Sequence, residues 1–215
     1  NIAVPEGDII RSERGLREAV EDYGYPLVIK PINGNHGRGI TINIQNWEDA
    51  LEGFKAAKEV SRSVIVEKYI IGDDYRLLVI DYKLVAAAKR TPAHVIGDGK
   101  STVQELIDEV NKDPRRGYGH EKVLTMITVN DMTRNILTEK GYDLDSVITD
   151  GEIVNLKDTA NLSTGGTATD VTDIVHPTNV FMAERIAKVI GLNICGIDLM
   201  TTDISKPVSE TGGAV

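Results

Sequence analysis

Apolar residues recur along the chain with two periods, and the switches between them mark the elements. Leu16, Ala19, Val20 and Tyr23 share one face at helical spacing. Ser12 stands where an N-cap is needed, Gly24 closes the helix, and Pro26 prevents its resumption. Residues 27–30 (Leu-Val-Ile-Lys) then read as a short buried strand, and residues 40–44 alternate as a second one. Asn46 with Asp49 opens a helix from Trp47 to about residue 60, and residues 64–69 form a further strand. These elements make one lobe of roughly the first 70 residues.

Beyond it, residues 75–80 and 84–88 pair as a hairpin around Asp81-Tyr82. Thr102 and Glu105 form a capping box for a helix ending near Asn111, and residues 112–122 are polar and loop-like. A helix follows over residues 131–140, closed by Gly141, then a strand over 152–157. Pro177 suits the first turn of a helix that reaches Ile190 and stops at Gly191, and residues 194–200 make the last clear strand. Hairpins mixed with helices, without an internal repeat, predict an α+β fold rather than a regular βαβ winding.

Charge and cysteine content narrow the function classes. A net charge of −9 argues against a nucleic-acid-binding surface, although a local basic pocket still accommodates a nucleotide. The single cysteine, Cys195, excludes an internal disulfide. No apolar run approaches the roughly 20 residues that span a bilayer, and the first residues lack a signal-peptide pattern, so the expected location is cytoplasmic. The absence of an initiator Met, and a last segment that stops as an apolar run begins, predict a piece of a longer chain.

Five segments carry candidate chemistry. In Lys30-Pro31-Ile32-Asn33-Gly34-Asn35-His36-Gly37-Arg38-Gly39, three glycines allow close backbone approach to an anion, and Lys30, His36 and Arg38 add donors. The loop joins two strands, which rules out a Walker A loop and a dinucleotide fingerprint. A permissive hairpin turn is the plain alternative, but a lysine ending an apolar strand beside the loop favours a phosphate flap, expected to be mobile without nucleotide. Glu67 interrupts the next strand and Asp74 follows seven residues later. They are either acceptors for adenine and ribose or two solvated acids near a turn. Residues 89–101 end in Gly-Lys-Ser, but His94 occupies the position where a P-loop needs glycine, so this is a turn feeding a capped helix. Arg90 there either reaches a transferring phosphoryl group or makes an ordinary ion pair. Residues 159–168, with Asn161, Ser163, Thr164, Gly165 and Gly166, form either an anion nest or an ordinary loop. Asp198 sits within an apolar strand, and a buried carboxylate there requires Mg²⁺ or strong donors. Cys195 reads as a core thiol, and neither His120 nor His176 has metal-ligand spacing.

In this order the segments resemble the ATP-grasp ligases: a Lys-Pro strand, a Gly-rich flap, a Glu-Lys hinge, a ribose acid and a late strand Asp. Within that superfamily, Gly34-Asn35-His36-Gly37-Arg38-Gly39, Pro92-Ala93-His94-Val95 and Ala160-Asn161-Leu162-Ser163-Thr164-Gly165-Gly166 look most like the cyanophycin synthetase branch. The bifunctional glutathione-synthesising enzymes share less of the flap. The resemblance implies two lobes with a nucleotide cleft between them: residues 1–70, and 71–215 with an inserted segment around 97–150. It implies that Lys30, Gly34, His36, Gly37, Arg38 and Gly39 hold phosphates, that Glu67 with the backbone of Tyr69 and Ile70 holds adenine, and that Asp74 holds ribose. Arg90, Asn161, Ser163, Thr164 and Gly165 would face the phosphoryl group and acceptor, and Asp198 would bind Mg²⁺. The implied activity is ATP-dependent amide formation through an acyl phosphate, extending a poly-aspartate chain that carries arginine. Its partners would be ATP, aspartate and an aspartate/arginine primer, in a homo-oligomeric full-length protein. The family's Glu-x-Asn metal strand would begin near Val215 and a further lysine would precede Asn1, so the segment alone is expected to fold without turning over and to self-associate. A ligase domain of a glutathione-synthesising enzyme and a non-catalytic nucleotide-binding module are the alternatives.

Overall fold

A computed structural model describes residues 2–33, 38–119 and 121–215. The chain divides into two compact units: Asn1–Gly72 with His176–Met182 and Leu199–Val215, and Asp73–Val175 with Ala183–Asp198.

The first unit begins with β1 (Gly7–Ile10), α1 (Glu13–Tyr23), β2 (Leu27–Pro31), β3 (Thr41–Ile44), α2 (Trp47–Val60) and β4 (Val64–Lys68). Its sheet has the order β1-β4-β2-β3, with antiparallel neighbours. Ser12 caps α1 by accepting from the Gly15 N–H at 3.2 Å, and Gly24 ends it at φ 65°. Asn46 caps α2 by accepting from the Asp49 N–H at 2.9 Å. Leu27, Ile29, Val64 and Val66 point to the inner face, where Leu16, Ala19, Phe54 and Ala57 cover them. Expected alternation over residues 40–44 is broken. Asn43 takes φ 54° and the β2–β3 register shifts, so Ile44 is buried while Ile42 stays exposed. Strand β1 carries no readable signal because Ile10 is its only buried residue.

Asn179, fully buried, ties the later segments of this unit together. Its amide donates to the carbonyls of Ile204 (3.0 Å) and Lys206 (2.8 Å), and its carbonyl accepts from the Val208 N–H (2.9 Å). Met200 and Ala214 form an antiparallel bridge.

The remaining elements are β5 (Asp73–Ile80), β6 (Lys83–Thr91), β7 (His94–Ile96), α3 (Val103–Asn111), β8 (Arg116–Gly117), β9 (Leu124–Thr125), α4 (Asp131–Glu139), β10 (Ile153–Asn155), β11 (Thr167–Asp170), α5 (Pro177–Ile190), β12 (Ile194–Thr201) and α6 (Val208–Thr211). A sheet of order β11-β6-β5-β12 runs through the second unit. The β5–β6 turn places Asp81 and Tyr82 at φ 50° and 59°, the paired positive values of a tight hairpin whose twist matches its strands. The Thr102–Glu105 capping box is present on both sides. Two expectations change here. Part of the turn read over residues 89–101 is β7, which pairs antiparallel with β10. The polar stretch 112–122 contains β8, which pairs parallel with β9 and buries Arg116. Val95, Val103, Ile107, Leu137, Ile148 and Leu156 form the core beneath them. Among the described residues no helix is long and apolar enough to cross a membrane.

Candidate functional site

In the first unit, inward burial of Leu27, Ile29 and Pro31 leaves Lys30 on the outer face of β2. The same alternation puts Glu67 on the outer face of β4. Lys30 lies opposite Ile65, two residues from Glu67, a diagonal that long side chains reach. The Lys30 Nζ donates to the Glu67 Oε1 at 2.5 Å, with the two side chains 34% and 18% exposed. Two residues predicted to serve phosphate and adenine are therefore bonded to each other. The Tyr69 N–H, part of the backbone expected to hold adenine, donates to the Pro26 carbonyl at 3.0 Å. Arg38 is exposed, and Gly39 at φ 72° lies against α2. Gly34, His36 and Gly37, and the expected mobility of the flap, lie outside the described residues.

The second unit holds a denser constellation. Asp74 and Arg90 are direct cross-strand partners in the β5–β6 ladder. Arg90 donates from Nε (2.8 Å) and Nη2 (2.5 Å) to Asp74 Oδ1, and from Nη2 to Asp198 Oδ1 at 2.8 Å. Arg76 Nη1 also donates to Asp198 Oδ1, at 2.8 Å. Glycine at position 196 permits this reach, because a Cβ there would stand 2.3 Å from Arg76 Nε. Lys89 and Asp73 form a flanking pair at 2.6 Å. Burial raises the Asp74 carboxyl above its ordinary pKa and outweighs the opposing hydrogen bond from Arg90.

The expected burial of Asp198 is not found. Its side chain is 60% exposed, because alternation along β12 turns it away from buried Ile197 and Leu199. Its donors are two guanidiniums, both on Oδ1, while Oδ2 makes no hydrogen bond among the described residues. That oxygen fits one ligand position of Mg²⁺, which takes one or two carboxylates and completes its shell with phosphate and water oxygens. No group of three metal-ligating side chains occurs among the described residues.

The third segment is a tight turn. Leu162–Thr164 form one turn of 3₁₀ helix ended by Gly165 at φ 97°. The N–H groups of Thr164 and Gly166 donate to the Asn161 carbonyl, and that of Gly165 to the Leu162 carbonyl. These donors are used inside the turn rather than presented to an anion, whereas Asn161 and Ser163 are exposed. Two arginines escape the sequence reading: Arg76, at an exposed position of alternating β5, and Arg116, which binds the Gly165 carbonyl from Nη1 at 2.9 Å.

A family model of the RimK-like ATP-grasp domain matches residues 1–110. The chain belongs to the RimK-like ATP-grasp family. Cyanophycin synthetase of Nostoc sp. is 55% identical over 215 residues, covering 100% of this chain and 24% of that protein. The glutathione biosynthesis bifunctional protein of Clostridium perfringens is 35% identical over 98% of this chain and 27% of its own length. A crystal structure of a bifunctional glutathione synthetase from Pasteurella multocida superposes with a TM-score of 0.63 at 34% identity, covering 96% of this chain and 28% of that one. The chain thus spans about a quarter of the length of these relatives, and its α+β architecture is that of the ATP-grasp fold.

Proposed function

We propose that this chain is the nucleotide-binding part of an ATP-dependent carboxylate–amine ligase, and that the reaction is the aspartate-adding step of multi-L-arginyl-poly-L-aspartate synthesis. The observation that carries this reading is 55% identity with a cyanophycin synthetase along the entire chain, against 35% with the glutathione branch. In the reaction, a substrate carboxylate oxygen takes the γ-phosphoryl group and ADP leaves. An amine nitrogen then bonds to the acyl carbon, phosphate departs and the amine loses a proton. No protein nucleophile is required, so the residues act by position and charge.

Lys30, released from Glu67, offers a phosphate its ammonium, and Arg38 and Gly39 extend that contact. Glu67 accepts from the adenine amine and Asp74 from ribose, with the backbone of Tyr69 and Ile70 alongside the base. Arg90 supplies the cation that neutralises charge on the transferring group, and Asp74 and Asp198 hold its guanidinium in place. Asn161, Ser163, Thr164 and Gly165 line the acceptor side. Asp198 provides one carboxylate oxygen for Mg²⁺, which when bound screens the phosphate charges.

Phosphate release by the full-length protein with ATP, aspartate, arginine and a short aspartate/arginine primer tests this. Release that requires both aspartate and primer, and that falls at least about a hundredfold in Arg90→Ala, is expected. Release indifferent to aspartate contradicts the proposed step.

A further inference from the structure

A cavity of about 290 Å³ in the second unit is lined by His94, Ile96, Leu106, Val110, Arg116 and Gly165, with Glu109 and Thr167 at its wall. Its volume lies at the lower end of the range for small-molecule sites and holds roughly ten waters, the scale of an amino acid rather than a nucleotide. Ile96, Leu106 and Val110 are its aliphatic lining residues. The notable member is Arg116, which is only 7% exposed. Its Nη1 donates to the carbonyls of Thr125 (2.7 Å) and Gly165 (2.9 Å), which fixes the plane of the guanidinium.

The rest of that guanidinium has no partner among the described residues. Every fully enclosed side-chain nitrogen or oxygen there is hydrogen-bonded, so Nε and Nη2 are not fully enclosed, and Arg116 lines the cavity. Among the described residues no carboxylate forms an ion pair with Arg116. Asp113, the acid whose charge acts on it, is gripped by Arg115 through both oxygens. Glu109 is bonded to Lys112 at 2.6 Å. Burial without a counter-ion is costly for a guanidinium, and its planar fork matches a carboxylate. His94 donates its Nδ1 hydrogen to the Pro92 carbonyl at 2.8 Å.

We propose that this cavity is a subsite for the carboxylate of an amino-acid or peptide substrate, with Arg116 as its cationic anchor. The identity of the occupant as substrate rests on the ligase reading, whereas carboxylate binding stands on the cavity itself. Gly165 supplies the link, since its carbonyl orients Arg116 and it belongs to the turn assigned to the acceptor.

The test is an NMR titration of backbone amides in the nucleotide-free protein, using N-acetyl-L-alanine and its amide, N-acetyl-L-alaninamide. The carboxylate probe is expected to shift Gly117, Gly165 and Thr167, and the amide probe to leave them in place. Arg116→Gln should weaken the response at least about tenfold, the loss of one charge-assisted contact. Should that variant fail to fold, Ile96→Trp fills the cavity from an exposed position, Ile96 being 53% exposed, and should also remove the response. Equal response to both probes, shifts confined to other residues, or undiminished binding in the variants overturns the proposal. Lys30→Ala should leave the probe titration unchanged. Probe binding without aspartate-dependent phosphate release would therefore sink the ligase reading and leave the carboxylate site standing.

Discussion

Two charged constellations in this chain are built on different principles. Lys30 and Glu67 are one cation and one anion on the outer face of adjacent strands, linked by a single hydrogen bond. Asp74, Arg76, Arg90 and Asp198 are two of each, and one oxygen of Asp198 receives both guanidiniums. In the proposed site, a single pair lets its lysine exchange a carboxylate for a phosphate at the cost of one contact. A network holds Arg90 through three donated hydrogen bonds, so its guanidinium is oriented before any ligand arrives. The first arrangement suits capture and the second suits preorganised charge.

The largest expected effect lies in the network. Arg90→Ala strips the cation from Asp74, a carboxylate only 26% exposed, and should cost roughly 2–3 kcal/mol in urea denaturation. The flanking Lys89→Ala, in a pair 38% and 42% exposed, should cost less than about 1 kcal/mol. Equal losses would erase the distinction between the network and a surface pair.

A pH experiment sharpens the same point. Burial raises the folded pKa of Asp74 above its ordinary value of 3.8, so the protonated acid is the better tolerated form. Its contribution to stability is fully present below that value and is lost as pH rises through the folded pKa. Wild type should therefore lose stability relative to Asp74→Asn as pH rises from about 3 to about 6. A gain over that window would show that the bond from Arg90 outweighs burial.

The smallest effect belongs to Asp198→Asn. With 60% of its side chain exposed, Asp198 contributes less than about 1 kcal/mol to stability. Its loss should instead appear as a weaker dependence of ATP affinity on Mg²⁺, measured by titrating the nucleotide at high and low metal. An unchanged dependence would leave Asp198 as a partner of Arg76 and Arg90 only.

Much of this was legible in the chain because a charged residue inside an apolar strand is conspicuous. Lys30, Glu67, Arg90 and Asp198 all stand out that way, and the caps Ser12, Asn46 and Thr102 are where their neighbours demand them. Asp198 reads as a buried strand residue because Ile197 and Leu199 flank it, yet period-two alternation puts it on the exposed face. Arg116 was hidden by its polar surroundings, because what buries it is a two-residue parallel pairing between β8 and β9 that leaves no hydrophobic period. Gly196 is the signal that points to Arg76, a gap in β12 that only makes sense once a side chain crosses it.

The central claim is that the outer face of β2 and β4 receives a nucleotide. Isothermal titration of Mg·ATP into the full-length protein tests it, comparing Lys30→Ala with Lys55→Ala, whose lysine is an exposed residue of α2. A phosphate contact contributes roughly 1.5–3 kcal/mol, so Lys30→Ala should weaken binding about tenfold or more while Lys55→Ala matches wild type. Equal affinities for the two variants would remove Lys30 from the site and contradict the account.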